Sequence, residues 1–239
     1  MTGSSPTTSC DRLRSTALGS DGWRAFETVS AYAREAGLLV IADGKRCDIG
    51  STARAYATAF LERRGAEPPL ADALTVSPYL GRDSIDPFLA ACRRDGAGLF
   101  LLVRTSNAGA AELQDATLSD GRPVWRHVAE LVDTWGEDLV GARGLSSVGA
   151  VVGATVPRVV GDARRAMPRA IILLPGVGAQ GAQPADVARA FTSGPSSALV
   201  NASRSVIYAY RDAPAEDWRG VAGAEAARLA SAVWAAAGW

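Results

Sequence analysis

Short apolar runs recur along this chain at intervals that leave room for one helix between each pair. They are LLVIAD (38–43), ALTVSP (73–78), GLFLLVRT (98–105), SVGAVVGAT (147–155), AIILLPG (170–176) and ALVNAS (198–203). Most are continuously apolar rather than alternating, so each predicts a strand buried on both faces. Helical segments are predicted at 51–63, 84–95, 123–140, 184–191 and 214–237. Buried strands separated by helices mean βαβ units, in which a parallel sheet is covered by helices. An eight-stranded barrel and a doubly wound sheet both fit, and both present functional groups at the carboxyl ends of their strands. Here those ends carry Asp43, Ser77-Pro78, Thr105-Ser106-Asn107, Gly153-Ala154-Thr155, Pro175-Gly176 and Asn201 to Arg204. No Gly-x-Gly-x-x-Gly turn follows the first strand and no acidic residue ends the second, which disfavours a dinucleotide-binding sheet.

Before the first strand, Asp21 is placed to cap a helix with Trp23, Phe26, Val29 and Ala33 on one face, and Gly37 to end it. Residues 1–20 are rich in Ser, Thr and Gly without periodicity and predict a disordered tail, which leaves 21–239 as the folded domain.

A chain of 239 residues that is 48% hydrophobic can bury a large core. Lys+Arg and Asp+Glu are both 25, and no basic run is interleaved with aromatics, so nucleic acid is not an expected partner. No apolar stretch has signal-peptide or membrane-spanning character, which predicts a cytoplasmic protein without membrane association. Cys10, Cys47 and Cys92 are too widely spaced for a disulfide framework or a zinc site and are expected to be free thiols. The only histidine, His127, sits in VWRHVAELV, a helical pattern with Trp125, Val128, Leu131 and Val132 on the buried side. That makes it a helix-surface residue and leaves no imidazole for a serine or cysteine nucleophile.

The densest polar cluster is Asp43-Gly-Lys45-Arg-Cys-Asp48-Ile49-Gly-Ser-Thr52, directly after the first apolar run. Regular strand alternation puts Asp43 and Lys45 on one face, with Asp48 three residues on. The cluster reads either as a solvated charged loop or as an ammonium flanked by two carboxylates. Lys45 is the one lysine among 25 basic residues, and lysine, unlike arginine, can give up a proton under environmental control, which favours a proton donor. Two further features point to an anion: Pro175-Gly-Val-Gly178-Ala-Gln180-Gly, whose glycines admit close backbone approach, and Asn201-Ala-Ser203-Arg204, whose guanidinium can grip phosphate through two bonds.

These stretches resemble a known family. ADGKRCDIGSTARAYA is similar to the Asp-x-Lys-x-x-Asp-Ile-x-x-Thr signature of the orotidine 5′-monophosphate decarboxylases, in the Lys-Arg-x-Asp-Ile-Gly form of an actinobacterial-type branch. The resemblance continues, in order, through SPYLGRDSIDPFL, LLVRTSNAGAAELQD, VGAVVGAT, LLPGVGAQG and ALVNASRSVIYAY, over roughly residues 20 to 235. It implies a phosphate-binding TIM-type (β/α)8 barrel that works as a homodimer with shared sites, without metal or organic cofactor, and converts orotidine 5′-monophosphate to uridine 5′-monophosphate. By position, Lys45 would protonate pyrimidine C6 and Asp43 would lie beside the departing carboxylate. Asp48, Ile49 and Thr52 would reach the partner subunit's site, and Ser106 would bond the pyrimidine edge. Pro175, Gly176, Gly178, Gln180, Ser203 and Arg204 would hold the phosphate.

The family pattern also includes a first strand with a ribose-binding aspartate and a second strand with another lysine. Neither has a counterpart here. The expectation is therefore an incomplete barrel with about six parallel strands, lacking strands one and two. Its decarboxylase activity would be impaired, or it would be a noncatalytic or repurposed phosphate-binding relative. Keto-gulonate phosphate decarboxylases share an Asp-x-Lys element, but the Pro-Tyr-Leu-Gly and Arg-Thr-Ser-Asn stretches argue against them.

Overall fold

A computed structural model of the chain describes residues 7–10, 13–63, 65–178, 181–212 and 217–239. The chain forms two compact units, Met1–Leu102 with Thr134–Ala150, and Val103–Asp133 with Val151–Trp239.

In the first unit, β1 (Thr7–Cys10), β2 (Leu39–Arg46), β3 (Ala73–Val76) and β4 (Gly98–Arg104, which continues into the second unit) pair in parallel, each with its neighbour in sequence. Helices α1 (Gly19–Glu35), α2 (Gly50–Leu61) and α3 (Arg82–Asp95) alternate with them. Strand β3 is buried at all four residues, Ala73, Leu74, Thr75 and Val76, as expected of a strand covered on both faces. Helix α3 buries Ile85, Phe88, Leu89 and Cys92, an i, i+3, i+4, i+7 stripe, and stops where Gly96 turns left-handed at φ 71°. Burial pushes the Cys92 thiol up to about 12, so it stays protonated and inert. Phe60 of α2 is almost fully buried, with the Trp23 ring edge-on at 5.8 Å. Asp72 ties two elements together: one carboxylate oxygen accepts the Val40 amide at 2.7 Å and the other pairs with Arg34 at 2.5 Å.

The second unit holds β6 (Ala170–Pro175) and β7 (Ala198–Asn201), paired in parallel, and receives the end of β5 (Ser146–Val152). Its helices are α4 (Ala110–Gln114), most of α5 (Val124–Trp135), α6 (Pro157–Ala166), α7 (Pro184–Val187), α8 (Ser203–Ile207) and α9 (Trp218–Ala237). Val152, Val160, Met167, Ile172, Leu174 and Val187 are fully buried here.

The six strands expected from the apolar runs are β2 to β7, and the parallel α/β class holds. Four details differ. Residues 1–20 are not without regular structure where they are described: β1, a 3-10 turn at Leu13–Leu18 and the start of α1 lie within them. The sequence TTSC offers no apolar run, so only its pairing with Leu39–Ala42 of β2 defines it as a strand. Asp21 does not cap α1; the helix begins at Gly19, and Asp21 sits in its first turn, bonded to Arg24. On that helix Val29 is 53% exposed, whereas Phe26 and Ala33 are buried as expected. The short helices α4 and α8, and α6 with proline at its first turn, were not anticipated. His127 lies on α5 as predicted and is half-buried. No helix among the described residues is long and apolar enough to cross a membrane.

Candidate active site

At the carboxyl end of β2, the Lys45 ammonium donates to Asp43 Oδ1 at 2.5 Å. Asp43 is largely buried, its side chain 13% exposed, while Lys45 is 49% exposed, so the carboxylate is fixed in the protein and the ammonium faces outward. The two side chains meet, but not through regular alternation. Lys45 has φ +43°, the one positive value at a non-glycine among the described residues, and the pairing of β2 with β3 shifts register between Ala42 and Arg46. Such a conformation costs a non-glycine residue about 1–2 kcal/mol and persists only where neighbours enforce it, a pattern that concentrates at functional sites. Next in sequence, the Arg46 guanidinium lies over the Tyr56 and Phe60 rings at 5.2 and 5.6 Å, which takes the following cation out of the cluster.

The second carboxylate behaves differently from expectation. Asp48 accepts the backbone N–H of Ile49 at 2.8 Å, and no ion pair joins it to Lys45 within this chain. Ile49 is 58% exposed and Thr52, in the first turn of α2, is also exposed. Among the described residues no three His, Cys, Asp or Glu side chains cluster as a metal-binding group.

In the second unit, Ser106 follows β4 in a loop with several anchors. The buried Arg104 holds Asp115 through two bonds of 2.8 and 2.9 Å, and the Thr105 amide donates to Gln114 Oε1 at 2.8 Å. The Arg104 guanidinium beside Asp115 holds that carboxyl below its usual range. Gly153, after β5, lies directly against Ser106: a Cβ there would stand 2.9 Å from the Ser106 backbone nitrogen. Backbone cannot swing aside as a flexible side chain can, so Gly153→Ala should lower stability by about 1–3 kcal/mol, read as a fall in the urea unfolding midpoint.

Beyond Pro175, Gly176 and Gly178 adopt φ 111° and 80°, a left-handed turn that favours glycine. The Gly178 amide is already donated to the Ala182 carbonyl at 3.0 Å, so it is engaged within its own turn. Gln180 lies outside the described residues. After β7, Ser203 Oγ donates to Asn201 Oδ1 at 3.2 Å. Arg204 is exposed, without a carboxylate partner among the described residues, and with Tyr208, Arg211 and the ion pair Arg228–Glu225 it lines an open cleft of about 860 Å³. A solvated, unpaired guanidinium at a strand's carboxyl end can receive an anion.

The family profile of "Orotidine 5′-phosphate decarboxylase / HUMPS family" matches residues 16–220. The chain belongs to this family. It is 48% identical over 198 residues to the orotidine 5′-phosphate decarboxylase of Rhodopirellula baltica, covering 81% of this chain and 65% of that protein. It is 44% identical over 218 residues to the enzyme of the same name from Halorubrum lacusprofundi, covering 87% of this chain and 72% of that one. Among solved structures, the OMP decarboxylase of Leishmania donovani matches with a TM-score of 0.70 at 31% identity, over 92% of this chain and 78% of the other. The chain thus spans about two thirds of the length of these two sequence relatives. With the family comes its fold class, the α/β barrel type. Sequence reading missed Thr75, whose hydroxyl donates to Asp43 Oδ1 at 2.8 Å; a single hydroxyl inside the fully buried run ALTV was the available signal.

Proposed function

We propose that this chain decarboxylates orotidine 5′-monophosphate to uridine 5′-monophosphate, in pyrimidine synthesis. The Lys45–Asp43 pair carries the reading: one lysine in the whole chain, held 2.5 Å from a largely buried carboxylate. In this reaction the bond from C6 to the carboxylate breaks and its electron pair stays on C6. Carbon dioxide leaves, and C6 takes a proton from the Lys45 ammonium, which solvent then restores. The carbanion lies in the ring plane with little resonance help, so a preorganised ammonium aimed at C6 stabilises charge that water cannot. Asp43 orients that ammonium and stands beside the carboxylate that departs.

The remaining roles follow the family pattern. Ser106 bonds the pyrimidine edge, while Arg204, Ser203, Gln180 and the turn from Pro175 to Gly178 hold the phosphate. Because phosphate lies far from the breaking bond, its binding energy serves to order the site as well as to capture substrate. Asp48, Ile49 and Thr52 belong to the partner subunit's site in a cytoplasmic homodimer, and the exposure of Ile49 supports this assignment. Neither metal nor organic cofactor is required.

Binding tests the nucleotide half of this reading. Arg204→Ala should weaken uridine 5′-monophosphate binding about 10- to 100-fold, since a charge-assisted contact contributes about 1.5–3 kcal/mol, and should leave uridine unaffected. Calorimetric titration with both ligands decides it; equal losses would remove Arg204 from the phosphate site.

A further inference from the structure

We infer that Thr75 is the positioning residue that holds the Asp43–Lys45 pair in working geometry, an inference that rests on the proposed decarboxylase reading for its effect on rate. Thr75 is fully buried at the third position of β3, where the flanking Leu74 and Val76 are apolar and equally buried. Its hydroxyl makes two bonds, and both go to the site. Oγ1 donates its proton to Asp43 Oδ1 at 2.8 Å and accepts the Lys45 backbone N–H at 2.9 Å. The same carboxylate oxygen receives the Lys45 ammonium at 2.5 Å.

One hydroxyl therefore fixes both ends of the pair. Its proton sets the rotamer of the Asp43 carboxylate, and its lone pair anchors the backbone of the residue forced to φ +43°. Lys45 needs that anchor because its side chain is half exposed, and an exposed ion pair alone holds little geometry. A buried hydroxyl is costly to a strand unless bonded, and this one is bonded only toward the site. Valine has nearly the same shape, so Thr75→Val keeps the packing of β3 while deleting both bonds. Thr75→Ser restores the hydroxyl.

Turnover of orotidine 5′-monophosphate and amide exchange of Lys45 are the two readouts. Because Lys45 is the only lysine, a protein labelled with 15N-lysine gives a single backbone amide signal. Thr75→Val should lower kcat at least about tenfold, as expected when a catalytic group loses its positioning. KM and uridine 5′-monophosphate affinity should stay within a few-fold, and the Lys45 amide should exchange at least tenfold faster with a shifted resonance. Thr75→Ser should recover kcat, shift and exchange. Unchanged exchange in Thr75→Val, or the same loss of kcat in the serine and valine variants, would overturn the inference. If the parent chain releases no carbon dioxide, the proposed function fails, and the lysine amide alone decides whether Thr75 holds the pair.

Discussion

Lys45→Met should lower turnover of orotidine 5′-monophosphate by about 10²–10⁴-fold, the range supplied by a positioned proton donor, and leave uridine 5′-monophosphate affinity within a few-fold. Methionine keeps the length and unbranched stem of lysine but removes the charge and all three donors. Unfolding would not account for such a loss. The ammonium is half exposed, and an ion pair of that kind contributes at most about 1 kcal/mol to stability. The backbone anchor from Lys45 N–H to Thr75 survives the substitution, so the left-handed turn should persist. A separation of kcat from product affinity in stopped-time assays and calorimetry would mark Lys45 as chemical; parallel losses of both would mark it as a binding residue.

Arg164→Met should lower stability by about 3 kcal/mol, for reasons that lie entirely in the second unit. Arg164 on α6 is 4% exposed and has no carboxylate partner among the described residues. Its guanidinium instead donates to the carbonyls of Met167, Pro168, Ala170, Ala190 and Ser197, at 2.7 to 3.2 Å. Those carbonyls belong to the end of α6, the start of β6 and the two segments before β7, so one side chain closes three connections. Burial disfavours the cation and brings its pKa down to about 10, still charged at neutral pH. Desolvating a cation costs several kcal/mol, and the five bonds, which share one guanidinium and are not additive, offset that cost. The bonds win by a modest margin, and methionine removes them while leaving buried carbonyls short of donors. Urea denaturation followed by tryptophan fluorescence reads the difference; an unchanged midpoint would show that the carbonyls find other partners.

Arg164 also shows where sequence reading stops. In GDARRAMPRA nothing distinguishes Arg164 from Arg165, yet the second is exposed and bonds Asp162 while the first is buried. Helix α6 itself escaped notice because its apolar positions, Val159, Val160 and Ala163, span little more than one turn. The strands β2 to β6 were legible because burial of successive residues leaves a largely apolar run, a signal that needs no tertiary information, whereas β7, buried only at Ala198, showed through its short run ALV. Strand β1 carries no such run. At the site, composition singled out Lys45 and adjacency gave Asp43. The bulge that brings them together depends on Thr75, 30 residues away, and non-local pairing of that kind leaves no local trace. Asp48 was expected to flank the same ammonium; its carboxylate turns to the Ile49 amide instead.

Release of labelled carbon dioxide from carboxyl-labelled orotidine 5′-monophosphate is the most direct measurement. The folded 239-residue chain should release label and accumulate uridine 5′-monophosphate in equal amounts. Lys45→Met should release label about 10²–10⁴-fold more slowly. A folded chain that binds uridine 5′-monophosphate but releases no label above buffer would contradict the assignment of decarboxylation, as would release that persists unchanged in Lys45→Met.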